Sequence, residues 1–384
     1  MLREIIGVAL VFLFHSVAQP AISAAPAPEA RESGAAPATR ADYGAARGPS
    51  QVRTALMDWT DPARTRTVPI KAYKPVGADG PLPLVIFSHG AGGSREAGQF
   101  LCNHLASHGY VVLAVQHAGS DLAALRAGGR RPRQLQTALA AMVANEQNWR
   151  DRPADVKFVI DRALAGDVSS ALKIDPQRIA VAGHSFGAYT AMAIAGTLVD
   201  LKDAPDTTFR DSRVKAVIAL SPQGKGQFGL DDRSWERIAV PLLMMTGTKD
   251  ASLKDDQPWT WRRQPFDALK SRTNADAGPF YLAVIDGAGH MAFADETNFV
   301  LDGLMGGRDP EFHGWIRQSC VAFLDAQLRR EPAALEWFDA RGIETVSRKR
   351  TKLESSGHDR RPAASQPQQS ATPRAGDTRG TPRP

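Results

Sequence analysis

The sequence is poor in cysteine. Two in 384 residues cannot supply the dense disulfide framework that holds small secreted modules together. No Gly-x-Gly-x-x-Gly joins a strand to a helix, and no Gly-x-x-x-x-Gly-Lys-Ser/Thr occurs anywhere, so no nucleotide cofactor is implied. His89, His117 and His184 sit on different loops without metal-ligand spacing, and no metal is expected. The body also lacks net charge. The overall +6 belongs to residues 347–384, where nine Lys/Arg face three Asp/Glu, so the rest sums to zero. A neutral body argues against nucleic acid as a partner, although Arg130, Arg131 and Arg133 form a local basic cluster.

Long apolar runs are missing too. The longest, Ile5 to Phe14, is too short to span a bilayer comfortably. It follows Met-Leu-Arg and precedes the small residues Ala18, Ala21, Ser23, Ala24 and Ala25. That order is the pattern of an export signal over 1–24, with an uncleaved anchor or a cytosolic leader as the alternatives. Export to the periplasm or medium is expected, with no transmembrane segment left after cleavage. Residues 25–50, rich in Ala, Pro, Gly and Ser, read as a flexible leader, and 347–384, rich in Pro, Ser, Arg and Gln, as a disordered basic tail.

Between these ends, β-rich apolar runs alternate with helical patterns, the signature of an α/β domain over 51–346. Strands are predicted at Val52–Asp58, Thr67–Tyr73, Leu84–Ser88, Val111–Gln116, Ile179–Ala182, Val214–Leu220, Leu242–Thr246 and Phe280–Ile285. Helices are predicted at Phe100–His108, Pro153–Leu164, Phe186–Ala195 and Gly314–Leu328. Strands that are apolar throughout imply a mostly parallel sheet with helices on both faces. Residues 119–152 interrupt the alternation and are a candidate lid.

The decisive segment is Ile179-Ala-Val-Ala-Gly183-His184-Ser185-Phe186-Gly187-Ala188-Tyr189. An apolar strand runs into Gly-x-Ser-x-Gly, and a small-residue helix follows. That context projects a serine hydroxyl from a sharp turn, beside the free N–H groups of a helix N-terminus. Ser185 is therefore the expected nucleophile. A base and an orienting acid should follow in the order Ser, acid, His. His290, after strand Phe280–Ile285 and a Gly-Ala-Gly loop, is the candidate base. Asp250, in Gly247-Thr-Lys-Asp250 at a strand's carboxyl end, is the candidate acid. Asp255, Asp256, Asp286 and Asp295 are weaker rivals. Backbone N–H groups of Phe186 and of Ala91, in His89-Gly90-Ala91-Gly92-Gly93, are the expected oxyanion donors. His89 reads as a prop for that loop. His117, Trp259 and Trp261 are candidate pocket walls, His117 also as a loop-positioning group. Cys102 and Cys320 lie in predicted helices, and a bridge between them is open if the chain is exported.

From Val52 to Leu328 the chain resembles the α/β-hydrolase fold. Within it the chain resembles the bacterial group related to platelet-activating-factor acetylhydrolases and dienelactone-hydrolase-like or polyester-hydrolase-like enzymes. The segments that carry the resemblance are Pro83 to Gly93, His108 to His117 and Arg178 to Ala188. The resemblance implies a Ser185–Asp250–His290 triad, Ala91 and Phe186 as oxyanion donors, and cofactor-free cleavage of carboxylic esters. No large exposed apolar surface is evident in the pattern, which favours esters of small to medium size, cleaved through an acyl-enzyme. True dienelactone hydrolases use cysteine, so Ser185 departs from that branch. A thioesterase or an amidase/peptidase with the same triad, and a noncatalytic binding protein on this scaffold, are the alternatives.

Overall fold

The sheet is built from strands whose alternate residues enter two separate apolar layers. In the strand Val111–Val115, Val112 and Ala114 join one buried cluster, while Val111, Leu113 and Val115 join the other. A computed structural model describes residues 43–252, 257–272, 277–295 and 309–356. All fall within one compact unit, Ala38–Pro384. The expected export signal and Asp255 and Asp256 lie outside the described residues.

Among the described residues the strands are β1 (Gln51–Asp61), β2 (Arg66–Val76), β3 (Leu82–Ser88), β4 (Val111–Val115), β5 (Ile174–His184), β6 (Leu198–Leu201), β7 (Ala204–Thr208), β8 (Val214–Leu220), β9 (Leu242–Lys249), β10 (Phe280–Gly289) and β11 (Thr351–Ser356). The helices are α1 (Gln99–Ser107), α2 (Leu122–Ala127), α3 (Pro132–Ala144), α4 (Glu146–Leu164), α5 (Phe186–Ala195), α6 (Gln264–Lys270), α7 (Pro310–Leu324), α8 (Pro332–Asp339) and α9 (Gly342–Val346). Nine strands form one sheet in the order β1-β2-β4-β3-β5-β8-β9-β10-β11. The run from β4 to β10 is parallel, and the outer pairs are antiparallel. Helices α1, α7, α8 and α9 pack on one face; α4, α5 and α6 pack on the other. This is the mostly parallel, doubly covered sheet that the apolar strands predict.

Three expectations need correction. The fold does not end at 346. β11 pairs with β10 from Phe280↔Ser356 to Ile285↔Thr351. Its Leu353 is buried, and Glu354 accepts from Arg263 of the other layer at 3.1 Å. The leader likewise joins the fold before residue 50. The Gly48 amide donates to Ser107 Oγ at 2.9 Å, and the Tyr43 hydroxyl donates to Asp325 at 2.8 Å. The helix expected from Pro153 begins earlier, at Glu146, with Pro153 inside it. Proline removes the N–H that would bond the carbonyl four residues back. That carbonyl, on Trp149, accepts from the Tyr189 hydroxyl at 3.3 Å instead.

Cys102 and Cys320 are free and buried, not bridged. Each serves as a small apolar side chain in the same layer. The insertion 119–152 folds as α2, α3 and the start of α4. Leu125, Leu139 and Met142 of this segment form a small cluster over Ala91, so the insertion covers the glycine-rich loop.

A chain ending at Val346 should melt roughly 5 °C or more below one ending at Ser356, read by calorimetry. Equal midpoints would show that β11 contributes nothing to the fold.

Candidate active site

Ser185 stands between β5 and α5 with φ 56° and ψ −118°, a conformation that costs a non-glycine residue about 1–3 kcal/mol. The flanking glycines permit it. A Cβ on Gly183 would overlap the Gly187 carbonyl, and one on Gly187 would overlap the Ser88 carbonyl of β3. The turn is thus sharp because α5 presses directly on the neighbouring strand. Ser185 is partly exposed while the residues around it are buried.

The other two predicted groups meet it. The Ser185 hydroxyl lies 2.9 Å from His290 Nε2, and His290 Nδ1 lies 2.9 Å from Asp250 Oδ1. Both sit where β9 and β10 end. Asp250 is fully buried, and Thr246 Oγ1 donates to its second oxygen at 2.9 Å. Burial raises the Asp250 pKa, but the Arg262 guanidinium and His290 outweigh it and hold the carboxyl down at about 2. Burial and then Arg262 push the His290 imidazole below its ordinary value, against the pull of Asp250. Asp286 and Asp295 are elsewhere: Asp286 accepts from Thr248 at 2.9 Å, and Asp295 accepts from the first amides of α1.

Two neighbours were not foreseen. Ser221, directly after β8, places its hydroxyl 2.7 Å from His290 Nδ1. Its position at a parallel strand's carboxyl end was the available signal. Arg262, in the 3₁₀ turn Trp259–Arg263, puts Nε 2.7 Å from Asp250 Oδ1. Nothing in the sequence marks a buried arginine, because burial of a charge is visible only through its partners.

The glycine-rich loop abuts the serine; a Cβ on Gly90 would stand 3.4 Å from that of Ser185. His89 Nε2 accepts the His117 amide at 3.1 Å, which leaves its Nδ1–H to donate to the Gly90 carbonyl at 2.6 Å. Beneath lies a second Ser–His–Asp chain. Ser88 Oγ is 3.0 Å from His117 Nε2, and His117 Nδ1 is 3.0 Å from Asp155. It is triad-like in connection, but all three side chains are sealed from solvent. Arg152, also fully buried, ties this chain to the site. It donates to the Ser88 hydroxyl at 3.0 Å, to the His89 carbonyl, to Ser120 Oγ at 2.8 Å and to Thr190 Oγ1 of α5 at 2.8 Å. The Ser88 chain therefore supports the glycine-rich loop, and of the serines at these strand ends Ser185 is partly exposed while Ser88 and Ser221 are fully buried.

His117 is accordingly not a pocket wall; it is a loop-positioning group inside that network. Trp261 is buried, with its indole N–H donating to the Lys225 carbonyl at 2.9 Å. Trp259 packs on the edge of the core layer that holds α4 and α6. The Phe186 ring is fully buried, with the Arg152 guanidinium 4.3 Å from its centroid, so it narrows no open space.

The strand order, with an antiparallel second strand and a serine, acid and histidine following β5, β9 and β10 in that sequence, decides the architecture. The fold is that of the α/β-hydrolases. A ferulic acid esterase from Streptomyces cinnamoneus superimposes with a TM-score of 0.55 at 22% identity, covering 83% of this chain and 98% of that one. In sequence, the family described as platelet-activating factor acetylhydrolase, isoform II, matches residues 56–128. The platelet-activating factor acetylhydrolase of Cavia porcellus is 27% identical over 258 residues, 60% of this chain and 52% of that protein. The cutinase Est2 of Thermobifida alba is 29% identical over 211 residues, 54% of this chain and 52% of that protein. The chain is related to these acetylhydrolases and cutinases and spans about half the length of each.

Gly187→Ala should destabilise the fold by several kcal/mol, since the added methyl has only backbone to displace. Denaturant unfolding would measure it, and a loss under about 0.5 kcal/mol would show that β3 and α5 are not in forced contact.

Proposed function

We propose that this protein is a serine hydrolase that cleaves carboxylic esters of small to medium size through an acyl-enzyme intermediate. The observation that carries this reading is the unbroken path from Ser185 Oγ through His290 to Asp250, 2.9 Å at each step, at a partly exposed, backbone-strained serine. His290 Nδ1–H donates to Asp250, which fixes the tautomer and leaves Nε2 free to take the serine proton. As the hydroxyl attacks the carbonyl, charge develops on the substrate oxygen. The Phe186 amide at the start of α5 and the Ala91 amide in the adjoining loop are the donors we assign to it. His290 then protonates the departing alcohol and activates water to release the acid.

Acetylhydrolase relatives support a short acyl group over a long one, and an ester over an amide. The buried aromatic cluster of Phe186, Tyr189 and Phe228 beside the serine leaves chain-length selection to the rim. Among the described residues no helix is long and apolar enough to cross a membrane. The N-terminal pattern of residues 1–24 supports an exported enzyme cleaved near Ala24. Mass spectrometry of the mature protein should find its first residue there; an intact Met1 would contradict export with cleavage.

Ser185→Ala should abolish hydrolysis of a p-nitrophenyl short-chain ester and labelling by a fluorophosphonate, with circular dichroism unchanged. Ser88→Ala should still label. Turnover retained without Ser185, or labelling lost only without Ser88, would move the nucleophile or end the reading.

A further inference from the structure

We propose that Arg262, a buried guanidinium set against both Asp250 and His290, is a positioning residue of the relay: it locks the carboxylate toward the imidazole and opposes a positive charge there, so that ester cleavage persists in mildly acidic solution. This rests on the serine-hydrolase reading above.

The geometry is specific. Arg262 Nε lies 2.7 Å from Asp250 Oδ1 and 2.8 Å from the Asp250 carbonyl. One terminal nitrogen donates to the Ser221 and Pro222 carbonyls at 3.2 and 3.1 Å, and the other donates to the Ala251 carbonyl at 3.1 Å. The guanidinium so ties the ends of β8 and β9 together beneath the histidine. That second nitrogen also approaches His290 Nδ1 at 3.1 Å. Nδ1 already carries a proton for Asp250, so the contact sets donor against donor and does not bond. Asp250 therefore faces two cations whenever His290 is protonated, where an ordinary triad carboxylate faces one. The second cation is fixed and desolvated, and its effect on the imidazole is unfavourable to charge.

The remaining neighbours do not supply this effect. His184 of β5 lies with its ring 4.8 Å from that of His290 and its Nε2 on the His290 carbonyl, but burial holds it neutral. Ser185 and Ser221 are uncharged. Lys249 at the end of β9 is exposed. From α7, which packs on the turn carrying His290, His313 reaches the Ala294 carbonyl and not the imidazole.

The test is the rate of inactivation by a fluorophosphonate measured from pH 4 to 9, which needs no knowledge of the natural ester. Wild type should show an acid limb below the ordinary histidine value of about 6.5. Arg262→Gln should move that limb up by about one pH unit, so that inactivation on the acid side slows roughly tenfold. Arg262→Lys, which keeps the charge without the fork, should hold the limb near its wild-type place while lowering the plateau. A lowered plateau with an unmoved limb in Arg262→Gln would leave the arginine a merely structural strut and overturn the proposal. Should Arg262→Gln fail to fold, imidazole NMR of the wild type and of Arg262→Met decides. His290 titrating at or above about 6.5 overturns the proposal; because burial also lowers it, a lower value sustains the proposal only if the neutral Arg262→Met titrates higher than wild type, and an unmoved titration in Arg262→Met overturns it. Wild type that never labels would instead overturn the serine-hydrolase reading itself.

Discussion

Ser185 can hold a left-handed backbone only because α5 cannot retreat from β3. The Gly187 Cα lies against the Ser88 carbonyl, and the Gly183 Cα against Gly187. Both contacts exist because the two positions lack a side chain. The strain of about 1–3 kcal/mol is offset by the packing of α5, every residue of which is buried. From this contact follow the exposure of the hydroxyl, the proximity of the glycine-rich loop and the placement of the helix N-terminus at the reacting centre. The chemistry of the site is thus a consequence of how closely one helix is forced onto one strand.

Two buried arginines hold the surroundings of that contact in place. Arg152 links the loop above β3 to α5, and Arg262 links the ends of β8 and β9 to Asp250. Each is desolvated and satisfied by several acceptors, the condition under which a buried cation is tolerable. Removing a partner from such a network costs about 3–5 kcal/mol, so these residues secure geometry more than they add stability. The Ser88–His117–Asp155 chain belongs to the same support. It has the connectivity of a triad, with all three side chains buried.

Much of this was legible in the residues. β5 and its Gly-x-Ser-x-Gly turn, the glycine-rich loop after β3, and the acid and histidine after β9 and β10 announce themselves through strand ends, where apolar runs stop at small or polar residues. Arg152 and Arg262 could not be read, because a lone arginine in sequence is indistinguishable from a solvated one. Ser221 was hidden for the same reason, although its place after β8 mirrors that of Ser185 after β5. β11 was missed because Pro, Ser and Arg around it signal a tail. Yet Thr351 and Leu353 are buried while Lys352 is exposed, a two-residue alternation too short to stand out. Pro153 misled in the opposite sense: it read as a helix start, and only the Tyr189 hydroxyl on the freed carbonyl shows how the helix passes through it.

In the proposed reaction Ser185 carries the acyl group. Rapid acid quench of the protein with p-nitrophenyl acetate, followed by peptide mass spectrometry, tests it most directly. A single acetyl group is expected on the peptide containing Ser185, absent when His290 is replaced. An acetyl group on the peptide containing Ser88, or turnover with no covalent intermediate under any quench, would contradict it.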